Sequence, residues 1–190
     1  KFGLEFFYSK DGRKFLSKLK NQIIFLDLKL NDIPNTIKSA IRSLKNLKIS
    51  YLTVHLSSGL SALKTLKKES KNIKIAGVTT LTSLNNKDLK EIGYNKKVDE
   101  LVRHQAKLAT KAKLDAIVCS GHEIRSVKRV FRKEIITPGI KMQNVKNDQK
   151  RIMGPADAFD AGSDWLVIGR SITNGSIKKN IKNLLKILED

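Results

Sequence analysis

Cysteine is nearly absent from the 190 residues: Cys119 stands alone, so no internal disulfide can form, as expected in a reducing cytoplasm. Aromatic residues make up only 6%. No apolar run approaches the length of a membrane span, and no signal-peptide pattern is present. The motifs of several common enzyme classes are also missing. There is no Gly-rich dinucleotide fingerprint, no Walker loop and no G-x-S-x-G elbow. Acidic residues are scarce relative to basic ones, 18 against 38, giving a formal charge of +20. That excess first suggests nucleic acid. Yet the basic residues are mostly lysines spread along the whole chain, and no stretch interleaves them with aromatics. The densest clusters, Lys64-Lys67-Lys68 and Lys178-Lys179-Lys182, lie opposite Leu and Ile residues on amphipathic helices and read as solvated faces.

What is present is a core and an alternation. Hydrophobic residues amount to 40%, enough for one domain over 1–190. Apolar runs at 23–29, 51–55, 73–81, 115–120, 134–140 and 165–170 read as strands, and residues 1–4 as the end of another. Helical spacing separates them, for example Ile37, Ala40, Ile41 and Leu44, or Leu60, Leu63 and Leu66. Further helices are expected over 9–19, over 98–112, around Ile124 to Phe131, after Pro155 as far as Gly162, and from Ile177 to Leu188. The strands are apolar along their length rather than alternating, as in parallel sheets covered on both faces. A doubly wound sheet and a (β/α)8 (TIM) barrel each produce this α/β pattern. Polar residues gather where strands end: Asp27, Lys29, His55, Thr82, Ser120, Lys141 and Arg170. That rim is where both architectures place their chemistry.

Two stretches stand out. In FLDLKLNDIPNT (25–36) an apolar strand turns charged at Asp27, Lys29 and Asp32. Residues two apart share a strand face, so Asp27 and Lys29 lie side by side. This is either a structural ion-pair network or a catalytic one, in which a lysine held between carboxylates stays protonated as a general acid. Pro34 fixes the following turn, with Asn35 or Thr36 available to cap a helix. The second stretch is Gly169-Arg170 after the last strand. It is either an ordinary turn with a surface arginine or a phosphate cradle of backbone N–H groups and a guanidinium fork. His55 and the Cys119, His122, Glu123 group lack convincing metal-ligand spacing and read as loop residues and a core thiol.

DLKLNDIPNT resembles the signature decapeptide of the orotidine 5′-phosphate decarboxylases of the bacterial type. KFGLEFF, VTTLTS, TPGIK, NDQKRIMGP and AGSDWLVIGRSI resemble further segments of that family, in the family's order and over essentially the whole chain. A shorter D-x-K-x-x-D is shared with metal-dependent sugar-phosphate enzymes of related barrels, whereas the DIPNT continuation is more specific. The resemblance implies a TIM barrel whose first βα unit and most of strand 2 are not in this sequence. It implies cofactor-free conversion of orotidine monophosphate to UMP and CO₂, the last step of de novo pyrimidine biosynthesis, in a cytoplasmic homodimer with no metal and no nucleic-acid or membrane partner. Lys1, Asp27, Lys29 and Asp32 would form an alternating charge network. Lys29 would protonate C6, Asp27 would face the substrate carboxylate, and Asp32 and Thr36 would reach the partner subunit's site. Asn35 and Thr82 would contact substrate, and Gln149, Gly169 and Arg170 would hold phosphate. Lys141 stands where the family usually has arginine, so a planar fork is replaced by a point charge. The polar loop 141–151 is the expected lid. The alternatives are a metal-dependent sugar-phosphate decarboxylase or aldolase, which would lose activity in EDTA, and a basic nucleic-acid-binding protein.

Overall fold

The apolar runs pair as parallel strands, each returning to the next through helix, as parallel neighbours must. The computed structural model describes residues 1–142 and 153–189. Helices α1 (Leu4–Tyr8) and α2 (Gly12–Lys18) precede β1 (Phe25–Leu30), α3 (Pro34–Ser43), β2 (Tyr51–His55), α4 (Gly59–Glu69) and β3 (Lys74–Val78). Then come α5 (Asn86–Glu91), α6 (Val98–Lys111), β4 (Ala116–Val118), α7 (Ile124–Lys128) and β5 (Glu134–Pro138). The chain continues with α8 (Pro155–Asp160), β6 (Trp165–Val167), α9 (Arg170–Thr173) and α10 (Ile177–Glu189). No helix among the described residues is long and apolar enough to cross a membrane. Two compact units are present, Lys1–Thr79 with His104–Ile117, and Thr80–Arg103 with Val118–Asp190.

In the first unit β2 pairs with β3 in unbroken register from Tyr51 opposite Lys74 to His55 opposite Val78. β3 stops at Val78, level with the end of β2 and short of the Leu81 expected from hydropathy. On the far side of β1, Phe2 N–H donates to the Phe25 carbonyl (3.0 Å) and Asp27 N–H to the Phe2 carbonyl (2.8 Å), so Phe2 makes a single parallel bridge to β1 where a strand end was expected. Leu4 to Tyr8 then form a helical turn where only a turn was expected. Leu26, Leu52, Val54 and Ile75 are buried in the sheet, and α3 and α4 cover it with Ile37, Ile41, Leu63 and Leu66.

In the second unit β5 and β6 align from Ile136 opposite Trp165 to Pro138 opposite Val167. Pro155 opens α8 at its first turn, and Gly162 follows it with φ 107°, the left-handed conformation that ends helices. Helix α5 was not expected. Its sequence NKDLKE buries only Leu89, and it is started by a capping box between Asn85 and Asp88 rather than by an apolar stripe. Along α10, Ile177, Ile181, Leu185 and Leu188 are exposed, although their spacing is that of a packing face.

The same clamp holds strands in both units. Asp115, just before β4, donates its N–H to the Ile75 carbonyl (3.0 Å) and accepts the Ile75 N–H at Oδ2 (2.9 Å). Asp164, just before β6, treats Ile135 likewise, at 2.9 and 2.7 Å. A lysine from the helix before the clamped strand neutralises each carboxylate: Lys67 of α4 at 2.6 Å and Lys128 of α7 at 3.6 Å. Lys67 is thus not simply part of a solvated face. Its ammonium is held on a strand end.

Candidate active site

The charged end of β1 is built by an interruption in the strand. Leu26 faces Leu52, but the next matched pair is Leu30 with Val54, so β1 spends four residues where β2 spends two. Lys29 absorbs the excess with φ 49°, a left-handed backbone uncommon for a side chain of this size. Its N–H, turned away from the ladder, donates to Thr53 Oγ1 at 2.8 Å. Its side chain returns to Asp27, with Nζ 2.9 Å from both carboxylate oxygens. Asp27 and Lys29 do lie side by side, though through a bulge rather than through regular strand alternation.

Asp27 is buried and fully engaged. Besides Lys29 it accepts from Lys1 Nζ at Oδ2 (2.7 Å) and from the Thr53 hydroxyl at Oδ1 (3.0 Å). Burial alone would push its carboxyl up. The hydrogen bonds and charges of Lys1 and Lys29 outweigh that and hold it below the usual carboxylate range. His55, half-buried at the end of β2, is shifted down by burial and then by the Lys29 charge, with Asp27 opposing, so it is neutral at pH 7. The unit therefore fixes one carboxylate between two ammonium groups, beside a neutral imidazole.

The remaining expected residues of this unit stand apart from that cluster. Asp32 is exposed, and its Oδ1 accepts the Ile33 N–H at 2.7 Å. No ion pair joins it to Lys1 or Lys29 among the described residues, so the network of four contains three within one chain. Helix α3 starts with Ile33 as its N-cap and Pro34 in the first turn, and no side chain caps it. Asn35 and Thr36 thus lie inside the first turn and are exposed, not capping as expected. Pro34 already fixes the entry, and its missing N–H needs no partner there.

In the second unit Thr82 lines a cavity of about 450 Å³ together with Thr80, Ser120, Glu123, Pro138 and Gly139. Ser120 and Glu123 are locked together: Glu123 Oε2 accepts the Ser120 N–H (3.0 Å) and also the Ser120 hydroxyl. Cys119 is buried, and burial, then the charge of Glu123, pushes its thiol up, which keeps it protonated. No group of three or more His, Cys, Asp or Glu residues suited to a metal occurs among the described residues. Lys141, Gly169 and Arg170 are exposed. Among the described residues a Cβ on Gly169 would meet nothing within 4 Å, so their packing does not explain a glycine there. Gln149 and most of the 141–151 loop lie outside the described residues. Thr53 was missed by sequence reasoning, although a threonine within the apolar run YLTVH was a usable signal, since a buried hydroxyl needs a partner.

Residues 1–180 match the model of the "Orotidine 5'-phosphate decarboxylase / HUMPS family". The chain belongs to this family. An orotidine 5′-phosphate decarboxylase of Wolbachia pipientis is 43% identical over 197 residues, covering 100% of this chain and 87% of that protein. Its namesake in Ehrlichia canis is 42% identical, over 93% of this chain and 79% of its own length. Among solved structures, the orotidine 5′-phosphate decarboxylase of Lactobacillus acidophilus superposes with a TM-score of 0.84 at 30% identity, covering 100% of this chain and 86% of that one. The Methanocaldococcus jannaschii enzyme, solved with the inhibitor BMP, reaches 0.77 at 21% identity over 99% of this chain and 85% of its own, and speaks for the fold.

Proposed function

We propose that this chain decarboxylates orotidine 5′-phosphate to UMP and CO₂, the final step of pyrimidine nucleotide synthesis, without a cofactor. The observation that carries the reading is Lys29, whose ammonium is held on ionised Asp27 by a bulged, left-handed backbone. In the reaction the bond from C6 to the carboxylate carbon breaks, and its electron pair stays on C6. CO₂ leaves, and a proton from Lys29 Nζ moves to C6. Lys29 is left neutral and regains a proton from solvent. A preplaced ammonium stabilises the developing carbanion without reorganisation, the largest kind of catalytic contribution. Asp27, unable to move or take a proton cheaply, meets the substrate carboxylate as a like charge, and Lys1 holds it ionised.

Thr82 contacts the pyrimidine. The cavity it lines is of ligand size, within the range of roughly 300–1,000 Å³ typical of small-molecule pockets. Gly169 and Arg170 take the phosphate, with Gln149 and Lys141, and the lack of any described residue within 4 Å of a Cβ at Gly169 supports backbone approach by an anion. Asp32 and Thr36, exposed around the start of α3, are available to a second subunit's site, which makes the working form a homodimer, and exposed Asn35 contacts substrate. The parallel strands with polar ends support a TIM-barrel domain, and the lone cysteine supports a cytoplasmic setting. The test is the absorbance change of orotidine 5′-phosphate on incubation with the protein, with and without EDTA. Turnover unaffected by chelation, and reduced by about 10³-fold or more in Lys29→Ala, is expected for loss of a preplaced catalytic charge. Near wild-type turnover in Lys29→Ala, or loss of activity in EDTA, would overturn the reading, the latter in favour of a metal-dependent sugar-phosphate enzyme.

A further inference from the structure

We infer that Thr53 is the positioning residue of the catalytic lysine: its single hydroxyl sets both the backbone turn of Lys29 and the orientation of the Asp27 carboxylate. The inference rests on the assignment of Lys29 as the proton donor. Thr53 is fully buried in β2, between Leu52 and Val54, the two residues whose partners in β1 flank the skipped register. The bulge takes the Lys29 N–H out of the sheet ladder, and Thr53 Oγ1 accepts it at 2.8 Å. That contact spends an acceptor site of the hydroxyl and leaves its proton to be directed elsewhere. It goes to Asp27 Oδ1, 3.0 Å away. An ionised carboxylate only accepts, so the direction of this bond is fixed by chemistry. Thr53 thus closes a small ring: its hydroxyl to Asp27, Asp27 to Lys29 Nζ, and the Lys29 backbone to the hydroxyl. The side chain and the main chain of one lysine are tied to the same oxygen by two routes.

A left-handed, non-glycine residue persists only where its surroundings hold it. Among the described residues the Lys29 N–H is held by the Thr53 hydroxyl. Without the hydroxyl, the Lys29 backbone loses the partner that keeps it turned and Asp27 loses one of its donors. Lys1 and Lys29 Nζ would still bind Asp27, so the cluster would survive with the ammonium misplaced rather than absent. Misplacement should reduce the chemical step while leaving binding elsewhere on the substrate intact.

Thr53→Val removes the hydroxyl at nearly constant volume, and Thr53→Ser keeps it while removing the methyl. For Thr53→Val the expected result is a fall in kcat of about ten- to hundredfold, with KM and the UMP dissociation constant within about threefold of wild type. Thr53→Ser should return kcat to within about threefold. If the valine variant does not fold, Thr53→Cys, with similar volume and a weak donor, is judged by the same split and should fall between the two. Wild-type kcat in the hydroxyl-free variant would overturn the inference. So would equal loss in the serine variant, or parallel deterioration of kcat and KM in both. Lys29→Ala is measured alongside. If it is inactive while Thr53→Val is unimpaired, only the positioning role fails; if Lys29→Ala is itself active, the assignment of Lys29 fails.

Discussion

A buried carboxylate between two lysines makes the cluster dependent on the ionisation of a single residue. Asp27 is held below the ordinary carboxylate range, so the unfolded chain takes up its proton at a higher pH than the folded one. Its contribution to stability is therefore complete above the unfolded value, about pH 4, and is lost as the pH falls through the folded value. His55 is also lowered, so its own contribution begins to fall away earlier, from about pH 6.5. In urea unfolding, wild type should exceed Asp27→Asn in stability at pH 7, and the gap should narrow below about pH 4. A gap constant from pH 7 to pH 3 would show that the asparagine variant fails for packing reasons instead. The sequence already showed that Asp27 and Lys29 belong together, because charges at the mouth of an apolar strand are conspicuous. It did not show how they meet. Thr53 and the left-handed turn at Lys29 arise from a register skip, which depends on a neighbouring strand 24 residues away in sequence from Lys29.

At the scale of elements, hydrophobic pattern fixed the number and order of the strands well and their ends poorly. β2 was read to the residue, since its apolar run and its pairing coincide. β3 and β6 stop short of their apolar runs, level with the ends of β2 and β5. Helices with stripes were legible; α5, held by a polar capping box, was not. The exposed stripe of α10 shows the converse, a periodicity that its own unit does not cover. Gly77 illustrates a constraint invisible in any pattern. It sits in β3, where a Cβ would come within 2.6 Å of Leu56 Cδ2 and 2.9 Å of Leu114 Cδ1. Overpacking of this kind typically costs about 1–3 kcal/mol. Gly77→Ala should therefore lower the unfolding free energy by about that amount, seen as a lower urea midpoint, without changing KM, since Gly77 belongs to the strand interior. An unchanged midpoint would mean that Leu56 and Leu114 give way freely.

For the molecule as a whole, two facts need one explanation. Asp32 lies in DLKLNDIPNT, the stretch that resembles the family's signature decapeptide, yet within one chain it is exposed and apart from the Lys1–Asp27–Lys29 cluster. A carboxylate placed to serve a neighbouring subunit accounts for both, and the proposal makes a prediction that no single-chain role shares. Lys29→Ala and Asp32→Ala should each be inactive as separate proteins. After mixing and subunit exchange, a mixed dimer has one site with its own lysine intact and the partner's aspartate intact, and one site lacking both. With equal amounts and random pairing, half the dimers are mixed and each has one working site. Activity should therefore recover to about a quarter of that of wild type, as follows from a closed two-fold assembly. If Asp32 acted within its own chain, every site in every mixture would lack one residue, and mixing would restore nothing. The net charge of +20 bears on the same experiment, because strongly like-charged subunits repel and exchange is fastest at low salt. Recovery that is quicker at low ionic strength but reaches the same final quarter would separate the rate of exchange from the geometry of the shared site.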